Sequence, residues 1–488
     1  MALKSKPAVG LDRLEEAIAR DLEFLCYPPK SWVREALAID GRPVSDVIIV
    51  GAGMAGLTLS FALRRQGINR HRLLDRSTAG REGPWATYAR MLTLRSPNHL
   101  TGPAMGVPNL TFRAWYEALY GSTAWSSLGR IPRLMWMEYL IWYRRVLSLP
   151  VENDVTLEDI KPAAHGLDCV LIHKDGHREI AATRKLVLAT GREGQARPRV
   201  PEALKPFVGE AVWHASDDIS FERLKGKDVA VVGVAASALD NAATAIEAGA
   251  RQVTLLVRAD AIPRVNKPKG ASFPGFVEGF PKLPPTLRFK FLDYMASKRI
   301  PPPRDSALRL FSHENVDLWL GAPIQSAEKY EGRLNLTTPK GKITVDAVII
   351  GTGFAIDLTA APELESHVSQ IMTYKDILSD HEIDETNEWL AFPVLSPSFQ
   401  FQQKDKGKAP YLRHIYCFSY SAAMSHGNVT GDIPAISDGA DRLSRGLAGD
   451  LFVEDAEFHW QATCAYDDAE LLGDEIPEAT DWDPPVGI

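Results

Sequence analysis

Apolar residues along this chain of 488 residues fall into two arrangements: short continuous runs bounded by glycine, and longer stretches recurring at helical spacing. The runs Asp46-Val-Ile-Ile-Val50 and Asp228-Val-Ala-Val-Val232 predict buried parallel strands, since a strand covered on both faces has no polar face to alternate. After the first run, Met54, Leu57 and Phe61 keep helical spacing until Gly67; after the second, Leu239, Ala243 and Ile246 do so until Gly249. Each helix leads into another strand, one ending at Leu73-Leu-Asp75 and the other spanning Gln252–Val257. Leu14, Ile18, Leu22 and Leu25 predict an amphipathic helix over Leu11–Cys26, packed on the body, and Arg133–Val146 reads as another helix. Hairpin-like segments are expected around Cys169–His173 and Lys185–Ala189, and a strand over Val345–Ile350. Near the C-terminus, His414–Tyr420 reads as a strand and a polar loop follows. Ile433, Ile436, Ala440, Leu443 and Leu447 then trace a helix, with Asp432 as its cap and Pro434 in its first turn.

Between strand and helix stand two turns of one kind, Gly51-Ala-Gly53-Met54-Ala55-Gly56 and Gly233-Val-Ala235-Ala-Ser237-Ala238. In such a unit the first glycine permits the turn, the second admits a pyrophosphate, and the third lets the helix pack on the strand. The amides at the helix start then face the phosphates, so the duplication implies two dinucleotides on one polypeptide. Asp75 lies nineteen residues beyond Gly56, with Arg76 beside it, where a carboxylate accepts hydrogen bonds from a bare ribose and repels a phosphorylated one. In the second unit Arg258 takes the acid's place, which favours a 2′-phosphate and hence NADPH over NADH. Arg264, Lys267 and Lys269 either extend that field or form a solvated basic loop. Ala235 adds a methyl group where the second glycine would stand. Strands ending in Ala189-Thr190-Gly191 and Gly351-Thr352-Gly353 let the backbone cross close to a cofactor at the carboxyl edge of a sheet.

These elements predict an α/β fold with two Rossmann-like dinucleotide-binding domains, the second inserted into the first. Residues 1–40 form an N-terminal helical extension, 41–205 and 346–452 the two parts of the first domain, and 206–345 the NADPH-binding domain. Residues 270–310 are a lid over the substrate or a surface excursion, and 453–488 an acidic tail. Hydrophobic content of 45% and charged content of 24% exclude a largely disordered chain. The net charge of −7 is concentrated in the tail, which holds eleven acidic residues and no Lys or Arg, with Phe458, Trp460 and Trp482 as docking anchors. Neither body nor tail offers the basic stripe that nucleic acid or an anionic membrane requires. Cys26, Cys169, Cys417 and Cys464 are widely separated and read as buried structural thiols, not a dithiol. No signal peptide or membrane span is evident, so a cytoplasmic protein is expected. No His-Glu-x-x-His motif or Cys/His cluster points to a metal, and no Gly-x-Ser-x-Gly elbow to a hydrolase.

Taken together, Gly51-x-Gly53-x-x-Gly56, Gly83-Pro84-Trp85, Ala189-Thr190-Gly191, the turn at Gly233 and Gly351-Thr352-Gly353-Phe354 give residues 45 to 450 an order that resembles the class B flavoprotein monooxygenases. The resemblance implies FAD on the first turn and NADPH on the second. Oxygen would add at flavin C4a, and the peroxyflavin would deliver one atom from O2 to a small organic substrate. It also implies that Trp85, Arg95, Asn98 and His214 lie near the flavin or NADPH. The family's Phe-x-Gly-x-x-x-His pattern is stretched here to Phe207-Val-Gly209-Glu-Ala-Val-Trp213-His214, and Arg95-Ser96-Pro97 stands where the flavin-containing group has Asn two residues before Pro. Arg95 either faces the flavin, favouring a polar substrate, or holds a loop by hydrogen bonds. Gly431-Asp432 either meets the flavin ring at the positive end of the last helix or simply caps that helix. The alternative function is an NADPH-dependent flavoprotein reductase passing electrons to a quinone or protein acceptor. Substrate identity and oligomeric state are not encoded in these patterns.

Overall fold

The computed structural model describes residues 9–379, 381–471 and 475. Two larger sheets organise it, the first mixed and the second all parallel. The first takes Val44–Val50 as its centre, with His71–Leu74 and then Val151–Glu152 on one side and Arg178–Leu188 on the other. Arg178–Leu188 serves three partners along its length: its start pairs antiparallel with Gly166–His173, and its end pairs parallel with both Val44–Val50 and Ile415–Cys417. The second sheet runs in the order Val316–Leu320, Gln252–Val257, Asp228–Val232, Ala347–Ile350, Val212–His214, all parallel.

Both glycine units form the predicted strand, turn and helix. Helix Met54–Arg65 follows Val44–Val50 and is buried from Met54 through Leu63, consistent with a sequence apolar on nearly every side. Helix Ala236–Glu247 follows Asp228–Val232 and packs its alanines against the second sheet. Burying side chains such as Phe61 or Leu239 contributes about 1.5–3 kcal/mol each, which holds the helix starts in register with the strand ends.

Three expectations change. The strand predicted over Val345–Ile350 is broken at Asp346, and Ala347–Ile350 joins the second sheet through Asp228–Val232. The change of sheet therefore comes after Ile350 and not at 345: Phe354–Ile356 pairs antiparallel with Ala196–Pro198, so the outgoing and returning chains lie side by side. In the C-terminal region only Ile415–Cys417 is a strand, and the expected polar loop contains helix Ala423–His426. The long helix is Ile436–Glu454, preceded by a 3-10 turn at Ile433–Ala435, and Asp432 makes no side-chain capping bond.

The acidic segment begins as part of the body. Asp455 accepts from Arg184 at 2.5 Å and Glu454 accepts from Lys185 at 2.7 Å, so these two acids are the counter-ions of cations buried on the first sheet. Buried charges without partners are costly, and the long helix ends where it does to supply them. Phe458 and Trp460 remain exposed, and Trp482 lies outside the described residues. The N-terminal helix Val9–Phe24 packs on Phe112–Tyr120, and Glu15 on it pairs with Arg145. Residues 270–310 are mostly helical, and Phe280 and Leu292 share a core with Tyr374, Trp389 and Met424.

Burial also sets an acid limit. His71, hydrogen-bonded to Ser60 at 2.7 Å, is pushed down to about 4 by burial, as is His414; His426, stacked on Phe399, falls to about 3 for the same reason. Each folded value lies below the ordinary 6.5, so the unfolded chain takes up protons that the folded chain refuses. The stabilisation is complete above pH 6.5 and is lost as pH falls toward 4. Thermal melts should show a flat midpoint from pH 8 to 7. A decline worth on the order of a few kcal/mol in total should follow between pH 6.5 and 4, and a flat profile there would contradict the account.

Candidate functional site

A single cleft of about 2350 Å³ runs between the two glycine turns. Pockets for small ligands hold roughly 300–1,000 Å³, so this one has room for more than one large molecule. From the first sheet it is lined by Gly51, Gly53, Met54, Ala55, Asp75 and Arg76, and by Trp85 and the Ala189-Thr190-Gly191 crossing. From the second it takes Gly233, Ala235, Ser237, Arg258 and Gly353, with Gly431 and Asp432 contributed by the C-terminal region.

At the first turn, Gly51 has φ +105°, and a Cβ there would stand 2.4 Å from the Ala189 carbonyl oxygen. Neither helix start has a side-chain cap: Gly53 precedes one and Ala235 the other, and no side chain accepts from their leading amides. Helix starts left uncapped within a cleft fit the pyrophosphate of a dinucleotide. Asp75 accepts from Ala52 N at 2.7 Å and from Ser77 N at 2.8 Å. It therefore fastens the turn, and each oxygen keeps a lone pair for a ribose hydroxyl. Thr190 Oγ1 and Glu193 Oε1 are buried at this wall with no partner among the described residues. These features fit FAD.

At the second turn, Arg258 ends strand Gln252–Val257, is exposed to the cleft and makes no ion pair or side-chain hydrogen bond among the described residues. Arg264 and Lys269 also line the cleft; Lys267 does not.

Several expected positions move. Asn98 does not line the cleft; it lies within the turn in which Leu100 N donates to Pro97 O. Gly56 and Ala238 lie behind their turns: a Cβ on Gly56 would stand 1.8 Å from Gly51 O, and the Ala238 methyl occupies the space a side chain on Gly351 would need. Arg95 lines the cleft but donates to Asp240 on helix Ala236–Glu247 at 3.4 Å, so it holds a loop of the first sheet's body against the second. Ser306 also donates to Asp240, at 2.7 Å. His214 is held on both ring nitrogens: Nε2 donates to Gly353 O at 3.2 Å and Nδ1 accepts from Ser216 Oγ at 2.7 Å. Burial holds its pKa below the ordinary histidine value, which makes this neutral tautomer the resting form and His214 a tie for the returning chain. Asp432, exposed to the cleft at its wall, has its carboxyl pKa raised by the desolvation of that recess.

The sequence reading passed over Arg192, Tyr88, Tyr420 and Thr430, which also line the cleft. Arg192 carried one usable signal, its place directly after Ala189-Thr190-Gly191. Cys169 and Cys417 are buried singly, as expected, whereas Cys26 and Cys464 are exposed; all four are free.

Comparison with known proteins agrees with this geometry. Residues 48–274, which contain both turns, match the family model described as pyridine nucleotide-disulphide oxidoreductase. The chain is 35% identical over 474 residues to the FAD-dependent urate hydroxylase of Xanthomonas campestris pv. campestris, covering 97% of this chain and 99% of that protein. The fold is similar to an ornithine N-hydroxylase from Kutzneria sp. 744, solved with reduced FAD, NADP⁺ and L-ornithine (TM-score 0.65, 16% identity, 84% of this chain and 100% of that one). It is also similar to L-lysine 6-monooxygenase from Pseudomonas syringae (TM-score 0.61, 20% identity, 83% and 99%). The chain belongs to the class B flavoprotein monooxygenases and is an FAD-dependent oxidoreductase. Among the described residues no helix is long and apolar enough to cross a membrane.

Proposed function

We propose that this protein is an NADPH- and FAD-dependent hydroxylase of a planar, acidic nitrogen heterocycle of the urate class, inserting one atom of O2 and reducing the other to water. The observation that carries the reading is the shared cleft, which residues of both uncapped helix starts line and which has room for a substrate as well. The relative named for urate supplies the substrate class. Bound FAD would supply hydride acceptance from NADPH and activation of O2.

The chain's own residues bind and exclude. Gly51, Gly53, Gly56 and Asp75 hold the flavin nucleotide, with Met54, Ala55, Arg76, Trp85 and Ala189-Thr190-Gly191 along its length. Gly233, Ala235, Ser237, Ala238 and Arg258 hold the nicotinamide nucleotide. Arg95 keeps the two domains in register through Asp240, His214 holds the returning chain at Gly353, and Gly431-Asp432 closes the flavin end. The insert helices wall off water at the far side, where Arg299, Pro301 and Pro303 line the cleft. The pairing of Ala196–Pro198 with Phe354–Ile356 supports an NADPH domain lying between those two connections.

The test is oxygen labelling of the FAD-loaded protein with NADPH and urate under ¹⁸O2. Urate-dependent NADPH oxidation with one labelled atom in the product, and equal consumption of NADPH, O2 and urate, is the expected outcome. Unlabelled product with NADPH oxidation driven by an added quinone would instead establish a reductase.

A further inference from the structure

The arginines of the cleft wall divide by their partners. Arg130 pairs with Asp305 at 2.8 Å, Arg199 with Glu388, and Arg95 with Asp240. Arg90 donates to the Thr87 carbonyl at 2.6 Å and lies over Phe221. Several others, Arg76, Arg258 and Arg299 among them, make no ion pair or side-chain hydrogen bond among the described residues, and neither does Arg192. Its guanidinium carbon instead stands 4.3 Å from the centroid of the Tyr420 ring.

That placement is built from the backbone. Gly191, at φ +72°, turns the chain away from the end of strand Arg178–Leu188, and Tyr420 N donates to Gly191 O at 3.2 Å. The ring beneath the guanidinium is thus tied to the residue preceding the arginine. Tyr420 is itself braced edge-on by Phe392, with ring centroids 6.0 Å apart. The Arg192 charge is felt at Arg95 and at Asp432, so all three face one region of the cleft.

We propose that Arg192, laid on Tyr420, is the specificity-determining residue that selects a planar anionic heterocycle over uncharged molecules of the same shape. The inference rests on the hydroxylase reading above and specifies how its substrate is recognised. A guanidinium is a rigid planar fork: with one face on Tyr420, its N–H edge remains directed at two adjacent acceptors of a delocalised anion. Arg95 is engaged by Asp240, whereas Arg192 forms no ion pair and meets only the longer-range charge of Asp432. In a partly desolvated cleft a cation without a direct ion pair favours an anionic ligand more than the same charge does in water.

The experiment uses the FAD-loaded full chain and the variants Arg192→Met and Arg192→Lys. Dissociation constants are read from perturbation of the flavin spectrum by urate, an anion at neutral pH, and by caffeine, an uncharged molecule on the same bicyclic skeleton. Flavin content and thermal midpoint matching the unsubstituted protein show that the variants fold. Arg192→Met should weaken urate about tenfold or more, with caffeine changed less than twofold and NADPH binding unaffected. Arg192→Lys should restore part of the loss, as a point charge without the fork. Equal weakening of urate and caffeine overturns the proposal, since it would report cavity shape alone. If the unsubstituted protein does not bind urate, the comparison is repeated with planar aromatic carboxylates and their amides. Anion selectivity that disappears in Arg192→Met then supports Arg192 while the urate reading fails; no anion selectivity in the unsubstituted protein overturns Arg192 as well.

Discussion

Gly56→Ala should yield a protein that purifies without flavin. The added Cβ would stand 1.8 Å from the Gly51 carbonyl oxygen, 3.0 Å from its carbon and 3.1 Å from Leu73 Cδ1. Two of these atoms are backbone, so no side chain can swing aside. Helix Met54–Arg65 must instead retreat from strand Val44–Val50, although its buried residues are already packed on all sides. Overpacking in such a place typically costs about 1–3 kcal/mol, and a helix start displaced from the pyrophosphate loses further, so FAD affinity should fall about a hundredfold or more. The flavin-to-protein absorbance ratio after gel filtration measures it. Gly449→Ala is the control: it lies within helix Ile436–Glu454, its Cβ meets nothing within 4 Å, and the variant should retain flavin. Full flavin occupancy in Gly56→Ala would mean that the first turn does not hold the cofactor.

The second large effect is expected at Arg258. Its guanidinium lies at the end of the second strand of the second sheet, open to the cleft and unpaired among the described residues. A charge-assisted bond to a 2′-phosphate contributes roughly 1.5–3 kcal/mol. Arg258→Ala should therefore raise KM for NADPH about 10- to 100-fold and leave NADH within twofold. Lys269→Ala, also at the cleft, should show a smaller loss in the same direction because it adds field without the bidentate fork. Steady-state NADPH and NADH oxidation decides the matter: parallel losses for both nucleotides would remove Arg258 from 2′-phosphate recognition.

Both predictions concern positions that were readable from local pattern. A continuous apolar run, a glycine turn and helical spacing all lie within about thirty residues, and each is enforced by backbone sterics and burial that neighbouring residues decide. The strands Asp228–Val232 and Gln252–Val257 and the helix Arg133–Val146 match their predicted bounds for that reason. Asp75 and Arg258 were legible too, because the length of a strand-helix-strand unit determines where the second strand ends.

Other features depend on which distant segment the chain meets, and spacing carries no record of that. Val345–Ile350 has the composition of a buried strand, but a run of Val and Ile is equally content in either sheet. Only the pairing of Ala347–Ile350 with Asp228–Val232 assigns it. Arg95 lines the cleft, yet it is engaged by Asp240, 145 residues away, on a helix of the other sheet. Glu454 and Asp455 look like the start of a solvated tail until Arg184 and Lys185, buried some 270 residues earlier, require them. Arg192 and Tyr420 also meet from distant parts of the chain, and nothing in either neighbourhood marks their contact. Periodicity and glycine placement report how a segment is buried and how its backbone turns, which suffices for two nucleotide cradles and the class of chemistry they serve. Which charges are paired, and which are left open to a ligand, follows from long-range packing, because a charge's partner is chosen by folded geometry and not by its neighbours in the chain.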